Sequence, residues 1–209
     1  MITVDLHDTV SHAMEMMDEA KLEHIPVLDG LQYLGMVAFD ELEDTDPHAE
    51  VISIEHRFIK PLVRTGDHFL QALRVRAKFY IDQVPVINEN NEWEGVIGTS
   101  KMLDQISLLS GVSSIGSMIV LEMAGHDYAP GEINRLVESN DAMIMQLNSI
   151  QDQHTGMMQV VLRINKEEVS DVVATFQRHE YNVLYYYGDE SYDNSLQKNL
   201  DHLMNYLNL

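Results

Sequence analysis

The chain has 209 residues, 45% of them hydrophobic, with 34 Asp and Glu against 13 Lys and Arg, a formal net charge of −21 and no cysteine. That field repels phosphate backbones and argues against nucleic-acid binding. The lack of cysteine rules out disulfides, thiolate metal ligands and cysteine nucleophiles. No apolar run approaches 18 residues, so no membrane span is expected, and "MITVDLHDTV" lacks the basic-then-apolar order of a signal peptide. A cytoplasmic setting is expected.

The charge is uneven. Residues 1–56 carry 14 acids against the single base Lys21, whereas residues 57–101 carry seven bases against five acids. The middle segment either packs against its acidic neighbour or offers a local anion site.

In chain order, a short strand is expected in "ITVDL". A helix follows with Val10, Ala13, Met14 and Met17 on one face and Asp8 as its expected N-cap. The strand "HIPVL", a turn at "DG", the strand "YLGMVAF" and a short helix at "DELEDT" complete the unit. The pattern then repeats as "PLVRT", Asp67, Phe69, Ala72 and Leu73, "QVPVI", "NENN", "WEGVIGT" and "SKMLDQISLL". Asp8 and Asp67, Ala13 and Ala72, Pro26 and Pro85, and Val27 and Val86 are 59 positions apart. Gly35 and Gly95, Val37 and Ile97, and Leu42 and Met102 are 60 apart, with the one added residue in a turn. Proline cannot donate to a ladder, so Pro26 and Pro85 predict strands with one side unpaired. Each unit is too small to bury its own apolar face, so the two copies should pack on each other and leave clefts between equivalent strands.

The two aligned copies, with the shared h-P-V strand and the glycine after it, resemble the tandem CBS (Bateman-type) domain pair over about half of the chain. The resemblance implies a pseudo-twofold pair whose clefts bind adenine nucleotides. It places His24, Ile25, Pro26, Glu41, Val84, Pro85, Thr99 and Lys101 in the clefts. In nucleotide-binding members the second strand ends in Thr or Ser, and an Asp three positions later holds the ribose. Here those places hold Ala38 and Glu41, then Gly98 and Lys101. Thr99 lies one position off the lost hydroxyl, and Lys101 could instead meet a phosphate.

After the Gly/Ser-rich "SGVSSIGS" the order changes. "MIVLEMAG" reads as a strand, and a helix opens at Pro130 with Ile133, Leu136 and Val137 inward. "AMIMQLNSI" and "MMQVVLRI" read as strands, Val169, Val172, Val173 and Phe176 as a helix face, and "NVLYYYG" as a last strand. This βαββαβ order is the ferredoxin-like arrangement. "HDYAPGEI" followed by "SNDAMIMQL" resembles the ACT domain, which implies a ligand, such as an amino acid, near Asp127, Tyr128, Gly131 and Asn140. The order of parts resembles bacterial CBS–ACT proteins of the acetoin-utilisation-related type.

The sequence therefore predicts an α+β protein divided into CBS repeat 1 (1–56), CBS repeat 2 (57–110), a linker (111–116), an ACT-like domain (117–190) and a C-terminal amphipathic helix (191–209). The ten His residues show no i, i+4 pairing, and no metal site is expected. No nucleophile–base, P-loop or dinucleotide motif is present. The expected role is that of a non-enzymatic regulatory sensor with no required cofactor. An adenine nucleotide or an amino acid is its expected ligand, and a homodimer and a regulated protein are its expected partners. The alternative is a dimerisation scaffold with degenerate pockets.

Overall fold

The computed structural model of the chain describes residues 2–112, 114–153 and 155–188. The predicted helix over 191–209 lies outside them. The chain divides into two compact units, Met1–Ile106 and Ser107–Leu209.

In the first unit, β1 (Val4–Asp5), α1 (Val10–Ala20), β2 (His24–Asp29), β3 (Gln32–Ala38) and α2 (Phe39–Glu43) form one repeat. A 3₁₀ segment at Val51–Arg57 leads to the second, made of β4 (Val63–Arg64), α3 (Phe69–Phe79), β5 (Gln83–Ile87), β6 (Trp93–Gly98) and α4 (Thr99–Leu109). The repeats match in detail. Each sheet has three strands, in the orders β1-β2-β3 and β4-β5-β6, with the first pair parallel and the second antiparallel. Each carries a register shift at the same place, between Val27 and Leu28 and between Val86 and Ile87. Lys21 and Tyr80, matched in the alignment, end α1 and α3 in the same left-handed conformation (φ 52° and 54°).

Two sequence expectations are corrected here. The proline strands β2 and β5 are the central strands of their sheets. They tolerate proline because β1 pairs only with Val27 and Leu28, and β4 only with Val86 and Ile87, so the outer side is open at Pro26 and Pro85. On the inner side Pro26 faces Met36, whose N–H and C=O are both engaged by Ile59, so no donor is missed there either. The second correction concerns the caps. Thr9 caps α1 by accepting from the His12 N–H, and His68 caps α3 by accepting from the Leu70 N–H. Asp8 and Asp67 instead accept the N–H groups of Asp5 and Arg64, three residues back, at 2.9 and 2.8 Å. They brace the strand-to-helix turn rather than the helix end.

The repeats share a core. Val10, Ala13, Met17, Ile25, Val27 and Val37 are buried together in the first. The second combines Ala72, Val84, Ile87 and Met102 with Leu28, Tyr33 and Met36 of the first repeat. The hairpin tips also exchange backbone hydrogen bonds, Trp93 N–H to Leu31 O at 2.8 Å and Tyr33 N–H to Asn91 O at 3.2 Å. Tyr33 and Trp93, equivalent residues, stack at 6.0 Å between ring centroids. Gly35 lies against the segment joining the repeats. A Cβ there would sit 2.7 Å from Ile59 O, so the Met36–Ile59 backbone bridge requires glycine.

The second unit contains β7 (Ser117–Ala124), α5 (Pro130–Glu138), β8 (Ile144–Gln151), β9 (Met157–Ile164), α6 (Ser170–Arg178) and β10 (Asn182–Tyr187). Its antiparallel sheet has the order β10-β7-β9-β8, the ferredoxin-like topology expected of βαββαβ. The two predicted helix faces are buried, Ile133, Leu136 and Val137 on α5 and Val172, Val173 and Phe176 on α6. They pack with Ile119, Leu121, Val160, Leu162 and Ile164, the inward residues of two alternating strands.

Candidate functional site

In the first unit a cavity of about 440 Å³ opens where α1 ends, β2 begins and α2 begins, within the usual size range of ligand pockets. Met17, Leu22 and Phe39 supply its apolar wall, and Asp18, Lys21, Glu23, His24 and Asp40 its polar groups. The local fold sets this arrangement. The left-handed turn at Lys21 reverses the chain out of α1, and the Phe39 N–H donates to Glu23 O at 2.9 Å, tying the start of α2 to the start of β2. Thr99 and Asp82 make the same bond in the second repeat, also at 2.9 Å.

His24 is the predicted residue that lines this cavity. It opens β2 opposite Ala38. Burial holds its pKa below the ordinary imidazole value, against the opposing pull of Glu23, Asp82 and Asp40. His24 is therefore a neutral hydrogen-bonding group at pH 7, and three carboxylates face one lysine around it. The folded state binds its proton less readily than the unfolded chain. This group therefore leaves stability intact above the unfolded imidazole pKa and removes some as pH falls through it. A ring-proton NMR titration should place the His24 midpoint below that of free histidine; a midpoint at or above it would contradict this environment.

A smaller cavity of about 40 Å³ lies beside the first, lined by His24 and Gln83 and by Glu23 and Asp82, the matched residues of the two repeats. It has room for a water or two at about 30 Å³ each.

The remaining predicted residues have other partners. Ile25 and Val84 are fully buried in the two cores, and Pro26 and Pro85 are buried beside them. Glu41, where the ribose-binding carboxylate stands in the resemblance, accepts from Arg57 Nη1 at 3.0 Å, and Arg57 also reaches Glu41 O. The Thr99 hydroxyl donates to the Asp82 backbone and side chain at 3.1 and 3.3 Å. Lys101 is exposed on the first turn of α4. Arg57 binds Glu41, Arg76 binds Asp82, and Arg64 donates to Asn88 O and Asn91 Oδ1. Much of the basic middle segment is thus engaged in internal pairing.

In the second unit Asp127 is exposed beside His126, at 3.4 Å. Tyr128 packs on the core, and a Cβ at Gly131 would meet open space. Asn140 does not join them. It lies past the far end of α5, nine residues from Gly131, or roughly 13 Å along the helix at 1.5 Å per residue. Its amide donates to Leu136 O at 2.9 Å and to Thr175 Oγ1 at 3.1 Å, which ties α5 to α6.

Sequence reading missed Asp18, Lys21, Glu23, Phe39 and Asp40 as cavity residues. One signal was available. "KLEH" aligns with "YIDQ" at the repeat offset of 59, marking the chain reversal that both copies share. Among the described residues, no group of three or more His, Asp or Glu could hold a metal ion, and no helix is long and apolar enough to cross a membrane.

The architecture is a tandem CBS-type pair in an α+β chain, followed by a further βαββαβ domain. The CBS domain family model matches residues 1–44. No curated protein matches the chain. Among solved structures it is similar to a CBS domain pair/ACT domain protein from Thermotoga maritima, at 20% identity over 50% of this chain and 86% of that one, with a TM-score of 0.46. It is also similar to the CBS domains of a transcriptional regulator from Streptococcus pneumoniae, at 16% identity over 49% of this chain and 86% of that one, with a TM-score of 0.43. A third match is the cytosolic domain of the Mg²⁺ channel MgtE in complex with ATP, at 21% identity over 50% of this chain, with a TM-score of 0.42. That match spans only 44% of the MgtE chain.

Proposed function

We propose that this chain is a non-catalytic regulatory module. It binds a small molecule of the adenine nucleoside or nucleotide class in the first-repeat cleft and passes occupancy to a partner protein through a homodimer. The cavity beside His24 carries this reading. Phe39 and Leu22 can hold a flat ring, and neutral His24 can exchange a hydrogen bond with it. Asp18, Glu23 and Asp40 around that cavity disfavour added phosphates. The expected order in isothermal titration calorimetry is therefore adenosine tighter than AMP, and AMP tighter than ATP. No heat and no thermal shift with any of the three at millimolar concentration would end this reading.

A second reading, a dimerisation scaffold with degenerate pockets, is favoured by one observation. Glu41 and Thr99, the groups nearest to the ribose-binding pattern, are bound to Arg57 and Asp82 within the protein. It predicts a stable dimer by light scattering and no response to nucleosides or nucleotides.

A further inference from the structure

We infer that the outer face of the second-unit sheet, the one turned away from α5 and α6, is the docking surface for the C-terminal segment of the same chain, residues 189–209.

The strands read as covered on both faces. In an antiparallel sheet with one wet face, apolar and polar residues alternate along each strand, and continuous apolar runs mark strands buried on both sides. Met118, Ile119, Val120 and Leu121 are consecutive on β7, and Val160, Val161 and Leu162 on β9. Ile119, Leu121, Val160 and Leu162 point into the core beneath the helices, so Met118, Val120 and Val161 point outward. Tyr185 and Tyr187 stand opposite Val120 and Met118 in the ladder, and their rings meet edge-on at 5.7 Å. Val120 is fully buried although it points away from that core.

The same face carries a groove. A cavity of about 420 Å³ opens at the start of β7, between Met118, Arg163 and Tyr187 of the sheet and Val112 and Ile115 ahead of it. Arg163 is tied to the Ser114 carbonyl. Val112 and Ile115 are 61% and 75% exposed, apolar side chains that the core leaves uncovered. Gly188 lines this groove too, so residues 189–209 leave from its wall.

That segment fits in pattern, length and attachment. Leu196, Leu200, Leu203, Met204 and Leu207 recur at the spacing of one helix face. Lys198, Asp201, His202 and Asn205 fall on the opposite side, as a helix with one wet face requires. From Leu196 to Leu207 the apolar stripe is about 17 Å long at 1.5 Å per residue. Four strands about 4.8 Å apart make the sheet about 14 Å wide. Residues 189–195 can span about 23 Å at 3.3 Å each, enough to bring the chain back over the sheet from Gly188. Attachment beside the groove gives the segment a roughly millimolar local concentration, which favours it over a second copy of the chain. With this face occupied, a homodimer must form through another surface.

The chain has no cysteine, so introduced thiols report alone. In Val161→Cys, adding Leu200→Asp and Leu203→Asp should speed the reaction of the thiol with a maleimide at least tenfold. Adding His202→Asp and Asn205→Asp, the same charge change on the other side of the stripe, should leave the rate unchanged. In a chain carrying Val161→Cys and Leu203→Cys, a short flexible bismaleimide should join the two thiols within one chain, read as a cross-linked monomer by mass spectrometry. Circular dichroism spectra matching the parent would show that the variants fold, and the cross-link provides the test should the Leu200→Asp, Leu203→Asp variant misfold. An unchanged labelling rate in that variant, or the same acceleration by the two changes on the other side, would overturn the docking. So would reactive thiols that form no cross-link. Cross-linked dimers in place of monomers would give the face to a second copy and overturn the assignment to the chain's own segment.

Discussion

Tyr33→Ala is expected to destabilise the first unit by about 3–5 kcal/mol, the range for deleting a large buried ring. Tyr33 is only 8% exposed, and its hydroxyl donates to Pro61 O at 2.7 Å. Its ring stacks on Trp93 of the other repeat. Removing it opens a cavity in the core that the repeats share and leaves the Pro61 carbonyl without that donor. Trp93 is the chain's single tryptophan, so its fluorescence reports the loss directly. Urea unfolding followed by that signal should show a lower midpoint, and folded emission should shift to the red as the ring loses its cover. Tyr33→Phe, which removes only the hydrogen bond, should cost about 1 kcal/mol. A loss below 1 kcal/mol for Tyr33→Ala would mean that backbone exchange alone joins the hairpins.

Phe176→Ala is expected to cost the second unit a similar amount, about 3–5 kcal/mol. Phe176 is fully buried in the last turn of α6, and its ring meets Tyr181 edge-on at 5.5 Å and 71°. It fills the layer between α6 and the inward residues of β7 and β9. Native-state hydrogen exchange should show faster exchange at the β7 and β9 amides, the strands beneath that layer. Unchanged protection there would contradict the core described above.

Much of the fold was legible because it is periodic. The 3.6-residue spacing on α5 and α6, the alternation on β9 and the offset of 59 then 60 between the repeats depend on near neighbours or on the chain compared with itself. Tertiary context changes such features little. The errors came where one residue can satisfy a local rule in two ways. Asp8 and Asp67 can accept from the helix ahead or from the turn behind, and they take the turn because Thr9 and His68 stand one place closer to the helix. Pro26 and Pro85 lack a donor wherever they stand. Whether that makes an edge strand depends on the length of the neighbouring strand, which no local pattern encodes.

The sequence by itself determined the architecture, two matched α+β repeats followed by a βαββαβ unit, with His24 at the start of the repeated strand. The tertiary structure decided which polar groups are engaged within the protein and which line a cavity. Glu41 is held by Arg57, 16 residues away, Thr99 by Asp82, 17 residues away, and Asn140 by Thr175, 35 residues away. Asp18, Glu23 and Asp40 meet in one cavity because a left-handed turn folds the end of α1 back over the start of α2. The physical reason is common to all of these. A hydrogen bond or ion pair needs its partner within about 3 Å, and for residues this far apart in the chain only the folded packing of strands and helices brings the partner there.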